Sequence, residues 1–221
     1  MIKKIFGPPG SGKTTFLLNT VEKELERDIS STAIGYFAFT RRAALEAKER
    51  AAKKFPSLDI EKDLPWFRTL HSLAYACLGV KNADIMSSQH FKEFSSLAKL
   101  ELTVERGEED FIVKTDNPIL NQINLARITG IDLKEHYNRS DISIEWWHFE
   151  YVERFYRKYK ESNNLYDFTD LLERLVESPE RVPELDTVII DEAQDLSRLQ
   201  WDVVKILADK EMTDSRNCRL F

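Results

Sequence analysis

Two short runs of this 221-residue sequence hold side chains suited to chemistry: Gly7-Pro8-Pro9-Gly10-Ser11-Gly12-Lys13-Thr14-Thr15 near one end, and Asp191-Glu192-Ala193-Gln194-Asp195 near the other. The first satisfies G-x-x-x-x-G-K-[ST], a pattern that cradles phosphate. Its glycines let the backbone turn N–H groups inward around phosphate oxygens. A helix beginning behind it adds partial positive charge at its N-terminus. Lys13 can reach the β- and γ-phosphates of a nucleoside triphosphate, and the Thr14 hydroxyl can be offered to Mg²⁺.

Such a grip needs an acid at the tip of another buried strand. The stretch TVIIDEAQD supplies it: Val188, Ile189 and Ile190 carry Asp191 to a strand end, where it can hold Mg²⁺ through water. Glu192 follows, and a carboxylate there can position and deprotonate an attacking water. Hydrolysis of ATP or GTP is the chemistry these two runs imply together.

The elements that must position them are legible in the apolar pattern. MIKKIF predicts a short buried strand ending at Gly7, and TTFLLNTVEKELERD a helix with Phe16, Leu17, Val21 and Leu25 on one face. A second strand is expected over Thr32–Thr40, then an Ala-rich helix from Arg41. A third strand runs to about Arg68, with Thr69 capping the next helix. Strands alternating with helices predict a parallel sheet covered on both faces. From about Val80 to Asn164 the pattern turns helical, without convincing buried strands, and TVERGEED reads as a loop. Phe149, Tyr156 and the neighbouring aromatics, Trp146 and Trp147 included, are expected to form the core of this region. The helix YDFTDLLERLVES, the strand LDTVIID and a helix from Ser197 complete the order. The expected division is therefore 1–79 with 165–210 for the sheet domain, 80–164 for a helical insertion and 211–221 for a divergent tail.

Composition bounds the partners. Apolar residues make up 42% and charged residues 32%, with a formal net charge of −6. Blanket electrostatic binding of duplex DNA favours a basic domain, so any nucleic-acid contact must be a local groove. No window approaches the roughly 18 apolar residues of a membrane span, and the start is unlike a secretory signal. Cys77 and Cys218 lack metal-ligand spacing and read as reduced thiols of a cytoplasmic protein.

Taken in order, GPPGSGKTT, FAFTRRAALEAKERA, RTLHSLAY, YDFTDLLE and DEAQD resemble the motifs of the UvrD/Rep group of superfamily I DNA helicases, over Ile2 to about Ala208. The resemblance implies an α/β, RecA-like P-loop ATPase domain: a parallel sheet flanked by helices, with the helical stretch as an accessory insertion. It implies ATP and Mg²⁺ as cofactors and single-stranded DNA as partner. Lys13, Thr14, Asp191 and Glu192 keep the roles argued above, and Gln194 would contact the γ-phosphate and the attacking water. Phe39, Thr40 and Arg41, then Thr69, Leu70 and His71, would touch single-stranded DNA. Unwinding would run 3′ to 5′. Thr15 stands where the group often has arginine, so the preference for ATP comes from the resemblance alone. After VVKILADK the group continues into a second RecA-like domain whose arginines complete the site. The chain as given is therefore expected to be part of a helicase, poorly active alone.

Two other readings compete. One is a P-loop nucleotide-binding module or regulator without unwinding activity. The other is a small-molecule kinase, disfavoured because Lys13 and Asp191 lie 178 positions apart (191 − 13) and no lid arginines stand out.

Overall fold

A computed structural model describes residues 2–8, 10–106, 113–208 and 219–220. In chain order its elements are α1 (Lys13–Leu25), β1 (Ile34–Ala38), α2 (Arg41–Lys54), α3 (Ile60–Asp63), β2 (Phe67–Thr69), α4 (Leu70–Leu78) and α5 (Ser88–Ala98). There follow β3 (Val104–Arg106), β4 (Val113–Thr115), α6 (Pro118–Thr129), α7 (Leu133–Arg139), α8 (Trp146–Asn163) and α9 (Phe168–Glu177). The series ends with β5 (Thr187–Ile190), α10 (Arg198–Ala208) and β6 (Arg219–Leu220). The chain divides into two compact units, one of residues 1–77, 175–196 and 200–221 and the other of residues 78–174 and 197–199.

The first unit is built on a four-stranded sheet of order β2-β1-β5-β6. All three strand pairs are parallel, with Tyr36 opposite Phe67 on one side and opposite Ile189 on the other. β1 and β5 are buried at every position, as parallel strands covered on both faces are. On one side of β1, Ala44, Ala47 and Ala51 let α2 approach closely. Leu17, Leu18 and Val21 of α1 join the same core. The parallel sheet flanked by helices matches the expected RecA-like α/β architecture.

The first expected strand does not form. Among the described residues of MIKKIF, only Ile2 takes part in a β-bridge, and Ile2 and Phe6 are 69% and 86% exposed. The loop–helix junction behind MIKKIF forms nonetheless, because its conformation is local.

The second unit is mainly helical. Asn117 caps α6 through its Oδ1, which accepts from the N–H groups of Ile119 and Leu120 at 3.0 and 3.1 Å, and Pro118 occupies the first turn. Phe91, Phe94, Ile123, Phe149, Val152 and Tyr156 meet in its core. Trp146 and Phe155 pack partly buried against that core, whereas Trp147 is 67% exposed. The region is not wholly helical. β3 and β4 pair antiparallel, so Val104–Arg106, expected as part of a loop, form a strand because β4 supplies their backbone partners; residues 107–110 of the expected loop lie outside the described residues. Of the divergent tail, only 219–220 are described. No helix among the described residues is long and apolar enough to cross a membrane.

Candidate functional site

The phosphate-binding pattern folds as a turn running into a helix. The Ser11 N–H donates to the Pro8 carbonyl at 3.2 Å, and the Phe16 N–H to the Gly12 carbonyl at 2.9 Å. Gly12, the residue capping α1, has φ 83° and Gly10 has φ 77°. Those are left-handed values that glycine adopts without penalty. Pro9 lies outside the described residues. The first turn of α1 holds no acidic residue, and a helix N-terminus carries partial positive charge. The Lys13 ammonium donates to the Gly7 carbonyl at 3.1 Å. Thr14 is half-buried and Thr15 exposed.

β5 delivers the acids. Asp191 follows its last residue, and the Asp191 N–H bonds to the Phe37 carbonyl at 2.9 Å, extending the ladder one residue past the strand. Asp191 is buried at 7% exposure. Its Oδ2 accepts a hydrogen bond from the Tyr36 hydroxyl at 2.8 Å. Burial, reinforced by the negative charge of Asp191, pushes the Tyr36 phenol far above its ordinary pKa, so it stays a donor. Glu192 takes a left-handed backbone, φ 52° and ψ 47°, which costs a non-glycine residue on the order of 1 kcal/mol. This turn brings its Oε1 to 3.7 Å from the Lys13 ammonium. Its Oε2 accepts from the Gln194 amide at 2.6 Å. Lys13, Asp191, Glu192 and Gln194 all line one open cleft of about 790 Å³.

The remaining expected site residues share a second geometry, strand–threonine–helix. After β1, Thr40 Oγ1 accepts from the Ala43 N–H at 3.1 Å and caps α2. Phe39 beside it is 43% exposed, and Arg41 is exposed in the first turn. After β2, Thr69 Oγ1 accepts from the Ser72 N–H at 3.1 Å and caps α4. Thr69 and Leu70 are buried, and burial lowers the pKa of His71 to about 4. Phe39 and Arg41 thus present surface, while Thr69 and Leu70 shape the backbone around them.

Sequence reasoning missed two sets of residues. Tyr36 was legible only as a polar-tipped side chain in an otherwise apolar buried strand, where a phenol needs a partner. The other set explains YDFTDLLE. The Arg127 guanidinium of α6 bonds to Asp167 at 2.8 Å, to Asp170 at 2.5 Å and to Glu173 at 2.7 and 3.0 Å. The Lys160 ammonium joins Asp167 and Asp170 at 2.6 Å each. Burial alone would raise the pKa of Asp167, but the Arg127 and Lys160 cations outweigh it and hold this carboxyl well below the usual range. The acids of this motif are a partly buried clasp of the second unit.

Comparison with known proteins agrees with this arrangement. The chain is 25% identical over 224 residues to the ATP-dependent DNA helicase PcrA of Staphylococcus aureus, covering 93% of this chain and 29% of that protein. It is 29% identical over 236 residues to the ATP-dependent DNA helicase srs2 of Schizosaccharomyces pombe, covering 93% and 26%. The chain therefore spans less than a third of the length of these relatives. The model of the UvrD/REP helicase N-terminal domain matches residues 3–215. With that match across nearly its whole length, the chain belongs to the UvrD/REP helicase N-terminal domain family.

Proposed function

We propose that this chain is the ATP-binding motor domain of a DNA helicase or translocase, coupling hydrolysis of Mg²⁺-ATP to movement along single-stranded DNA in the 3′ to 5′ direction. The observation that carries the reading is the convergence of Lys13 and Glu192, at 3.7 Å, from opposite ends of the chain. They meet in a cleft that Asp191 and Gln194 also line.

In this reading the loop N–H groups and the N-terminus of α1 receive the triphosphate. Lys13 leaves the Gly7 carbonyl to neutralise β- and γ-oxygens. Glu192 orients the attacking water and takes its proton, and Gln194 reports the presence of the γ-phosphate. The residues suit magnesium: Thr14 and Asp191 offer hard oxygen donors, and Mg²⁺ typically uses one or two protein oxygens plus phosphates and water. No group of three or more His, Cys, Asp or Glu side chains among the described residues could hold a metal unaided, which fits an ion that arrives with the nucleotide. Bound there, it would screen the charge that develops on the phosphate oxygens. Phe39 offers a face for base stacking and Arg41 a phosphate contact. Thr40, Thr69, Leu70 and His71 hold the two loops that carry such contacts. A second RecA-like domain would complete the site with arginines.

The test is binding of a fluorescent ATP analogue with Mg²⁺, and ATPase with and without single-stranded DNA. Lys13→Ala should weaken nucleotide binding about 10- to 100-fold, the loss of a charge-assisted hydrogen bond. Glu192→Gln should keep binding and lower turnover at least about 100-fold. Nucleotide binding unaffected by Lys13→Ala overturns the phosphate site. Turnover that ignores single-stranded DNA in the protein carrying both RecA-like domains favours the nucleotide-binding module without unwinding.

A further inference from the structure

We infer that Tyr36 is a positioning residue for the metal–nucleotide site, holding the Asp191 carboxylate in one orientation by donating its hydroxyl to Oδ2. This rests on the function proposed above and adds to it a residue from a different strand.

Three observations carry it. The phenol is fully buried, and its ring is stacked on Phe67 with centroids 5.0 Å apart and planes 20° from parallel. The hydroxyl therefore sits on a rigid arm. The 2.8 Å bond runs between residues 155 positions apart, and the backbone frames it: Tyr36 pairs with Ile189 in register, while the Asp191 N–H is bonded to the Phe37 carbonyl. Backbone and side chain of Asp191 are thus both tied to β1. Finally, Asp191 is among the residues lining the cleft while its Oδ2 is engaged by Tyr36, and Oδ1 is the oxygen this inference assigns to the ligand. A carboxylate ligand with one oxygen held by a neighbour is pre-oriented, and loss of such a partner typically weakens metal binding about 10- to 100-fold.

The test uses Tyr36→Phe, which keeps the ring and its stacking and removes only the hydroxyl. Mn²⁺ serves as probe, read by electron paramagnetic resonance with a non-hydrolysable ATP analogue. Nucleotide affinity in EDTA is measured in parallel. The expected result is an approximately 10-fold weaker Mn²⁺ affinity with unchanged metal-free nucleotide affinity. In an Asp191→Asn background the same substitution should have no further effect on Mn²⁺ affinity, which separates positioning from general damage to the core. Equal or tighter Mn²⁺ binding by Tyr36→Phe overturns the inference, as does an equal loss in the Asp191→Asn background. If the unsubstituted chain binds Mn²⁺-nucleotide and Lys13→Ala abolishes it, the proposed site stands whatever Tyr36 does. If the unsubstituted chain shows no such binding, both fall.

Discussion

Replacing Arg127 with methionine tests whether the partly buried clasp of the second unit is held by its central cation. The guanidinium serves Asp167, Asp170 and Glu173 at 2.5 to 3.0 Å, and its side chain is 19% exposed. In the native cluster two cations, Arg127 and Lys160, face three carboxylates. In the variant Lys160 alone remains against Asp167 and Asp170, and Glu173 loses the guanidinium. The Asp167 and Asp170 side chains are 13% and 17% exposed, too enclosed for water to replace the lost partner. Breaking a buried ion pair from one side costs about 3–5 kcal/mol. Glu173, at 35% exposure, can rehydrate, so about 3 kcal/mol is expected. With a urea dependence of about 2 kcal/mol per molar, the midpoint should fall by about 1.5 M. Urea unfolding of the 221-residue chain, followed by tryptophan fluorescence, reads this, since Trp146 and Trp147 belong to the same unit.

The pH dependence provides a second readout. Asp167 has a folded-state pKa below its unfolded value. Its stabilisation is therefore present above an unfolded pKa of about 4 and is lost as pH falls through the folded value. In Arg127→Met the stranded carboxylates accept protons more readily, so the deficit should be full at pH 7 and shrink toward pH 4. A midpoint change below about 0.5 M, worth about 1 kcal/mol, or a deficit equal at both pH values, refutes the reasoning.

Two further outcomes follow from the caps and the enclosed histidine. Thr69→Ala should lower stability by about 1 kcal/mol because the Ser72 N–H loses its acceptor, while Thr69→Ser should retain most of it; thermal melts of the three proteins decide. His71 has a folded pKa of about 4, lowered by burial from 6.5, so between those values the unfolded chain binds more protons and stability rises with pH. Acidification from pH 7 to pH 4 should cost on the order of 2 kcal/mol through this residue, and His71→Asn should flatten that part of the profile in urea titrations.

What the sequence by itself determined is what local chemistry dictates. Gly10 and Gly12 permit the left-handed turn, Lys13 opens α1, and Thr40 and Thr69 cap the helices after their strands, each through atoms within a few residues. The alternation of strands and helices was equally legible, because burial on both faces leaves short apolar runs and crossover helices leave a 3.6-residue period. Only the tertiary structure decided what depends on a distant neighbour. MIKKIF has a strand's composition, but its described residues form no strand, since a ladder needs a partner that composition does not specify. β3 and β4 exist because two weak segments find each other across a polar stretch. Tyr36 meets Asp191, and Lys13 approaches Glu192, because the parallel sheet places β1 beside β5 and carries α1 to the same edge. The acids of YDFTDLLE acquire their role from Arg127 and Lys160 on two other helices. A side chain's type can be read one residue at a time, but its partner is chosen by the packing that removes both from water.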